Sequence, residues 1–155
     1  MTDTYGYKMQ PIQWEPSFSV GITKLDDDHK KLIQLVNSLC EAWTLGKDAL
    51  IIESLFDALQ VYTDSHFQRE EAILAALEYE RLPQQQHAHA CLVDALQNFR
   101  TRYLAGGQAT KATAEMNAFL RSWLVDHILT EDLMYRSVLS SQESLAPFDP
   151  DRLDL

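Results

Sequence analysis

Glycine and proline are scarce in this chain, with 5 of each among its 155 residues. Loop-rich and all-β proteins use these residues heavily in their turns, so their scarcity disfavours both classes. No apolar run approaches the ~18 residues that a membrane-spanning helix needs. The length corresponds to about one domain, and an apolar content of 46% is enough for a continuous core.

Basic residues are also in short supply. The chain has 13 Lys and Arg against 23 Asp and Glu, which gives a formal net charge of −10. A protein that binds a nucleic-acid duplex needs a basic face to displace phosphate counterions, and an anionic membrane surface makes a similar demand. We therefore expect neither nucleic acid nor a membrane as a partner.

Cysteine is nearly absent, because Cys40 and Cys91 are the only two. Two cysteines do not make a disulfide framework, and they are typical of free thiols in a reducing compartment. The first residues, MTDTYGYKMQ, lack the basic and apolar regions of a secretory signal. The expected location is the cytoplasm.

Apolar residues recur at helical spacing in four segments. Thr23 or Asp26 is a candidate cap for the first helix, Gly46 is placed to end it, and Pro83 suits the first turn of the third. The predicted helices span about 24–45, 48–77, 83–105 and 110–139.

Long helices with short connections predict an all-α fold, an antiparallel up-down four-helix bundle. The bundle is expected over 24–139, after an N-terminal arm at 1–23 and before a surface tail at 140–155. Trp14, Phe18 and Val20 in the arm are candidates to pack on the bundle.

Histidines and carboxylates fall on several of these helices. His29 lies in the first, and His66 and Glu70 leave the same face of the second, one turn apart. His127 and Asp132 in the fourth are five residues apart, about 140° around a regular helix. If both face one site, that helix needs a local bulge, and π-bulges often occur at functional sites.

A single histidine on an amphipathic helix is more often a polar or capping residue than a ligand. The occurrence of histidines on three helices, two of them paired with a carboxylate, favours a metal site. Facing helices of a bundle can build a dimetal centre in its core. Imidazole combined with carboxylate suits iron, manganese or zinc.

Four segments taken together resemble the hemerythrin family in its bacterial single-domain form. They are W-x-P-x-F-S-V-G-I, LDDDHKKL, HFQREE and WLVDHILTED, and the similarity covers about Trp14 to Leu139. The resemblance implies a bundle that holds two non-haem irons, joined by an oxo or hydroxo bridge. In the family five histidines bind the irons, one Glu and one Asp bridge them, and O2 binds at an open position on one iron.

Residue by residue, the resemblance implies that His29 and His66 hold the open iron. Glu70 and Asp132 would be the bridges, and His127 would bind the closed iron.

The family also carries His-x-x-x-His on its third helix, and this chain departs from that pattern in RLPQQQHAHACL. Counted in register from the bridging Glu, the two positions are Gln85 and His89. His87 lies about 200° around the helix from both, so we expect it to be exposed. A shifted frame with His87 and Cys91 as ligands has the right spacing, but it would place a thiolate on the iron.

Gln85 could bind iron through its amide oxygen, hold a water that binds instead, or leave one position of the closed iron empty. The first two keep the site dinuclear, as expected from the six remaining ligands. The third would favour peroxide turnover or oxidation over reversible O2 binding.

By resemblance, Phe67, Trp123 and Leu124 are candidates to line a dry pocket at the open iron, although such residues are also ordinary core. Glu71, Glu78 and Glu80 indicate a solvated face, and Asp26, Asp27 and Asp28 an acidic helix start. None is given a ligand role, although one of the three aspartates could orient His29.

The function expected from the resemblance is O2 binding for carriage, storage or sensing, by a monomer without enzymatic activity, with NO or peroxide as related ligands. The alternative is a di-iron enzyme that reduces peroxide or oxidises a substrate. A third hypothesis is a signalling module that reports oxygen or redox state to a partner. It is disfavoured because a sensor usually needs an output domain or a dedicated partner, and no output domain is expected here.

Overall fold

The computed structural model describes residues 10–106 and 112–142, and the side chains of all of these except 103–106, 112–114, 116 and 139–142. Within this part of the chain, all regular structure is helical. The elements are a 3₁₀ turn (Pro16–Phe18), α1 (Thr23–Thr44), α2 (Ala49–Ala76), α3 (Leu82–Gly106), α4 (Ala112–His127), a π-helical turn (Ile128–Asp132) and α5 (Leu133–Gln142). The predicted four-helix bundle is confirmed, and α4, the π turn and α5 together form its fourth helix.

The connection between α1 and α2 follows the expected local rules. Gly46 has a φ of 64°, a left-handed conformation that costs glycine little, and its N–H donates to the carbonyl of Trp43. The carboxylate of Asp48 then caps α2 by accepting the N–H of Leu50 at 2.9 Å. The chain therefore reverses within a few residues, which places α2 antiparallel to α1.

The predicted caps of α1 are wrong. The N-cap residue is Ile22, and no side chain caps this end. Asp26 instead accepts the N–H of Val20 at 2.8 Å and the hydroxyl of Ser19 at 2.5 Å. Its carboxylate therefore orders the incoming loop, which itself contributes to the core.

The described part of the predicted arm packs against the bundle. Ile12 exchanges two hydrogen bonds with the side-chain amide of Asn37 in α1, at 2.9 and 2.8 Å. Phe18 and Val20 are buried, and Trp14 packs against the core while remaining partly exposed. All three predicted contacts of the arm are confirmed.

The fourth helix differs from the prediction at its end. Its expected start at Thr110 lies outside the described residues, as does 143–155 of the predicted tail. The helix continues to Gln142, three residues into that tail.

Two hydrophobic clusters fill the interior on either side of a polar layer. The larger includes Leu32 of α1, and the smaller includes Leu25, so that His29 lies between them along one helix. The described helices include none that is long and apolar enough to cross a bilayer.

Candidate metal centre

The antiparallel order of the helices brings the predicted ligands together at one end of the bundle. They lie near the start of α1, the end of α2, the start of α3 and the end of α4. All are buried, and Glu70 and Asp132 have no exposed surface. The seven residues are His29, His66, Glu70, Gln85, His89, His127 and Asp132.

The first cluster consists of His29, His66, Glu70 and Asp132. The Nε2 atoms of the two histidines are 3.1 Å apart. Oε2 of Glu70 lies 3.0 Å from Nε2 of His66, and Oδ2 of Asp132 lies 3.1 Å from Nε2 of His29. One ligand atom from each residue falls within 4.8 Å of every other, so the four could hold a metal ion.

The second cluster consists of Glu70, His89, His127 and Asp132, and it meets the same distance limit. Oε1 of Glu70 lies 3.2 Å from Nε2 of His89, and Oδ1 of Asp132 lies 2.9 Å from Nε2 of His127. Each carboxylate therefore turns one oxygen to each cluster. Two neighbouring cations could share both carboxylates.

The π-helical turn explains how His127 and Asp132 share a site. On a regular helix their side chains would diverge by about 140°. The turn begins immediately after His127 and includes Asp132, and its wider winding returns the carboxylate to the face of the histidine. The bulge that the five-residue spacing predicted is confirmed.

Gln85 belongs to this buried site and is only 2% exposed. Its amide nitrogen donates to Oε1 of Glu70 at 2.5 Å and to Oδ1 of Asp132 at 2.6 Å. The nitrogen, not the oxygen, therefore faces the carboxylates. His87 and Cys91 are both exposed, with 3.6 Å between Nε2 and Sγ, and neither belongs to a cluster.

A buried network behind His66 is the main feature that sequence reasoning missed. Oδ2 of Asp28 accepts from Nδ1 of His66 at 3.0 Å, and Arg69 donates to both oxygens of Asp28 at 2.9 Å. Tyr62 donates to the same carboxylate at 2.9 Å. Burial would raise the pKa of Asp28, but these donors hold it well below its usual range.

Glu71 plays the corresponding part for His89, although its sequence context indicated a solvated face. Its carboxylate accepts from Nδ1 of His89 at 3.0 Å. Because a carboxylate can only accept, the Nδ1 atoms of His66 and His89 carry the protons, and their Nε2 lone pairs point inward. Position beside His29 and Glu70 was the only hint in the sequence, since the contacts of Asp28 and Glu71 cross between helices.

Unpaired buried atoms mark the place for a cation. Oε2 of Glu70, Oδ2 of Asp132 and Nε2 of His127 form no hydrogen bond, although charged or polar atoms of neighbouring ligands lie 2.9–3.1 Å from them. Buried anionic oxygens without donors are costly unless positive charge compensates them. The clusters therefore fit metal ions, and the N and O ligands fit iron.

The charge balance at the centre agrees with this fit. Burial disfavours a charge on His29, but the carboxylates of Asp132 and Glu70 outweigh it and raise the pKa of His29 to about 10. Burial also opposes ionisation of Glu70, yet the surrounding histidines hold its pKa well below the usual range. The Glu70 carboxylate thus stays ionised and attracts either protons or a metal ion.

A cavity of about 10 Å³ adjoins the centre, with His29 and His66 of the first cluster and His127 of the second in its wall. Phe67, Trp123 and Leu124, which the resemblance suggested for a pocket at the open iron, also line this cavity. A space of this size is about the minimum that holds one water-sized molecule. The apolar walls favour a dry interior.

Comparison with known proteins identifies a related group. The family described as hemerythrin HHE cation binding domain matches residues 20–138. The chain is 28% identical to a bacteriohemerythrin of Pseudomonas aeruginosa, with 82% of this chain and 80% of that protein covered. It is 33% identical to a hemerythrin-like protein of Naegleria gruberi, over 83% and 94% of the two chains.

A solved structure supports the same relationship. A chain from crystal structures of a mutant protein superposes with a TM-score of 0.73, at 27% identity, covering 83% of this chain and 97% of the other. Fold and site together define a metal-binding four-helix bundle. The chain belongs to the hemerythrin family, which places it among di-iron proteins of the oxygen-binding type.

Proposed function

We propose that this protein binds O2 at a non-haem di-iron centre and serves in oxygen carriage, storage or sensing. The observation that carries the proposal is the sharing of Glu70 and Asp132, each of which turns one oxygen to each histidine cluster. Such sharing suits two adjacent ions bridged by carboxylates.

Each of the two histidine clusters would hold one ion. His29 and His66 would hold the ion beside the cavity, and His89 and His127 the other. When bound, two ferrous ions would supply the two electrons that reversible binding of O2 requires, and NO or peroxide are related ligands of such a centre.

The surrounding residues prepare the ligands and protect them. Asp28 and Glu71 hold protons on the outer nitrogens of two histidines, which directs the inner lone pairs to the metal. Phe67, Trp123 and Leu124 would exclude water from the cavity and so slow oxidation of the ferrous ions.

All of these residues come from one chain, so the proposed centre needs no residue of a second copy. Cys40 and Cys91 are free, as expected in the cytoplasm.

Two measurements test the proposal: the iron content per chain, and the absorption spectrum of the reduced protein before and after exposure to air. We expect two irons and a visible band that disappears when oxygen is removed. Glu70→Ala should abolish both results, whereas Glu80→Ala, at an exposed position of similar chemistry, should change neither. A protein that contains no iron would overturn the proposal.

A second candidate function is reduction of peroxide or oxidation of a substrate by the same centre. Gln85 favours it, because the second ion would have one histidine fewer than the family pattern provides. Two irons without a stable oxygenated band, combined with repeated consumption of peroxide, would select this candidate.

A further inference from the structure

We propose that the side-chain amide of Gln85 competes with the second metal ion, so that the centre fills stepwise. The first cluster binds its ion tightly, and the second binds only when the amide gives way. The inference rests on the proposed metal centre but not on O2 as its ligand.

The position of the amide is the first observation. Its nitrogen donates to Oε1 of Glu70 and Oδ1 of Asp132, at 2.5 and 2.6 Å, and lies 3.4 Å from Nε2 of His89. Glu70, Asp132 and His89 are three of the four residues of the second cluster, which could hold a metal ion. The amide nitrogen therefore lies among three of the four residues that would hold the second ion.

The orientation of the amide follows from the chemistry of its partners. An ionised carboxylate can only accept hydrogen bonds, so only the NH2 end of Gln85 can satisfy Glu70 and Asp132. The side chain is 2% exposed, which leaves little access for water as a substitute donor. The two carboxylates thus hold the amide nitrogen inward.

The two clusters differ in how well their oxygens are satisfied. Oε2 of Glu70 and Oδ2 of Asp132, in the first cluster, have no donor. Their counterparts in the second cluster, Oε1 and Oδ1, both accept from Gln85. The first-cluster oxygens therefore face histidine nitrogens, whereas the second-cluster oxygens are also hydrogen-bonded by the Gln85 amide. Nε2 of His127 forms no hydrogen bond, although Oδ1 of Asp132 lies 2.9 Å from it, and is available to an ion once the amide has moved.

Binding of the second ion must break this arrangement. A cation repels the positive end of the amide dipole, so Gln85 must turn its oxygen inward or withdraw, and both hydrogen bonds are lost. Hydrogen bonds to charged groups are the stronger kind. Their loss should make metal binding at the second position about 10- to 100-fold weaker than at the first. A factor of ten in affinity corresponds to about 1.4 kcal/mol.

Graded removal of iron from the full-length, iron-loaded protein provides the test. Anaerobic samples are equilibrated with increasing concentrations of a ferrous chelator, and retained iron per chain is measured after desalting. We expect two steps separated by about 10- to 100-fold in chelator concentration, with one iron retained between them.

Two substitutions should merge the steps. Gln85→His replaces the donor by a ring that can direct a lone pair at the ion, and Gln85→Glu supplies an anionic ligand. Circular dichroism checks that each variant folds. Because the two changes differ chemically, a folding defect in one still leaves the other as a test. Gln86→His, the same change at an exposed neighbouring position, should keep the two steps of the original protein.

His127→Ala identifies the weaker position, because it should remove the weak step and leave one tightly bound iron. Loss of both irons in a single step from the original protein would overturn the inference, as would an unchanged separation in both Gln85 variants. A single step with reversible O2 binding would leave the proposed function intact. Absence of iron would overturn both.

Discussion

The second and fourth helices each contribute one histidine and one carboxylate to the centre, but they use different backbone geometry. In α2, His66 and Glu70 are four residues apart on a regular helix. In the fourth helix, His127 and Asp132 are five residues apart and a π-helical turn joins them. The direction of the side chains, and not the spacing in sequence, is what the two pairs share.

The surroundings of the two pairs differ as well. His66 is held from behind by Asp28, which Arg69 and Tyr62 also bind in the bundle. The π turn, by contrast, carries exposed side chains at Leu129 and Thr130. The pair on α2 thus depends on a buried network, whereas the other pair depends on the winding of its own turn.

The largest effect should come from inserting one alanine after Phe67 in α2. Glu70 would turn by about 100° and leave both clusters at once, together with the α2 residues that follow it. We expect loss of both irons, measured as iron per chain, and a lower melting temperature.

An alanine inserted after Lys47, in the connection between α1 and α2, is the control and should preserve the iron. Retention of two irons by the α2 insertion would show that this helix also absorbs an extra residue by a local bulge.

Asp28→Asn should have the next largest effect. The change removes the charge that pairs with Arg69 and weakens the hold on Nδ1 of His66, so iron should bind about 10- to 100-fold more weakly at the first cluster. Competition with a chelator measures this. Asp27→Asn, at a neighbour whose side chain is 62% exposed, should leave the affinity unchanged. Equal effects of the two variants would contradict an orienting role for Asp28.

Deletion of Thr130 should have a smaller effect than the insertion in α2. Removing one residue from the π turn allows a regular helix in which the histidine and the carboxylate are four residues apart, as in α2. We expect two irons to remain, with affinity reduced by about tenfold or less. Loss of both irons would mean that the π geometry itself, beyond the direction of the side chains, is required.

Thr130→Ala should have the smallest effect and serves as the control for the deletion. Its hydroxyl donates to the carbonyl of Asp126 at 2.5 Å, within the helix and at an exposed position. The free energy of unfolding should change by about 0.5 kcal/mol or less, as is usual for surface substitutions. A denaturant titration checks this, and a larger loss would assign the hydroxyl a part in holding the turn.

Much of the site could be predicted from local pattern. The π-helical turn that includes Asp132 could be predicted, because residues five apart do not share one face of a regular helix. The exposure of His87 followed from the same periodicity. The caps of α1 could not be predicted, because Asp26 bonds to the preceding loop instead of the helix end.

The amino-acid sequence by itself determined the helices, the face on which each candidate ligand lies and the family, because these depend on periodicity and on motifs along one chain. Only the tertiary structure decided that Asp28 supports His66, that Glu71 supports His89, and that the nitrogen of Gln85 faces the shared carboxylates. Each of these contacts joins side chains on different helices. Their directions are set by which buried donors and acceptors meet when the bundle closes.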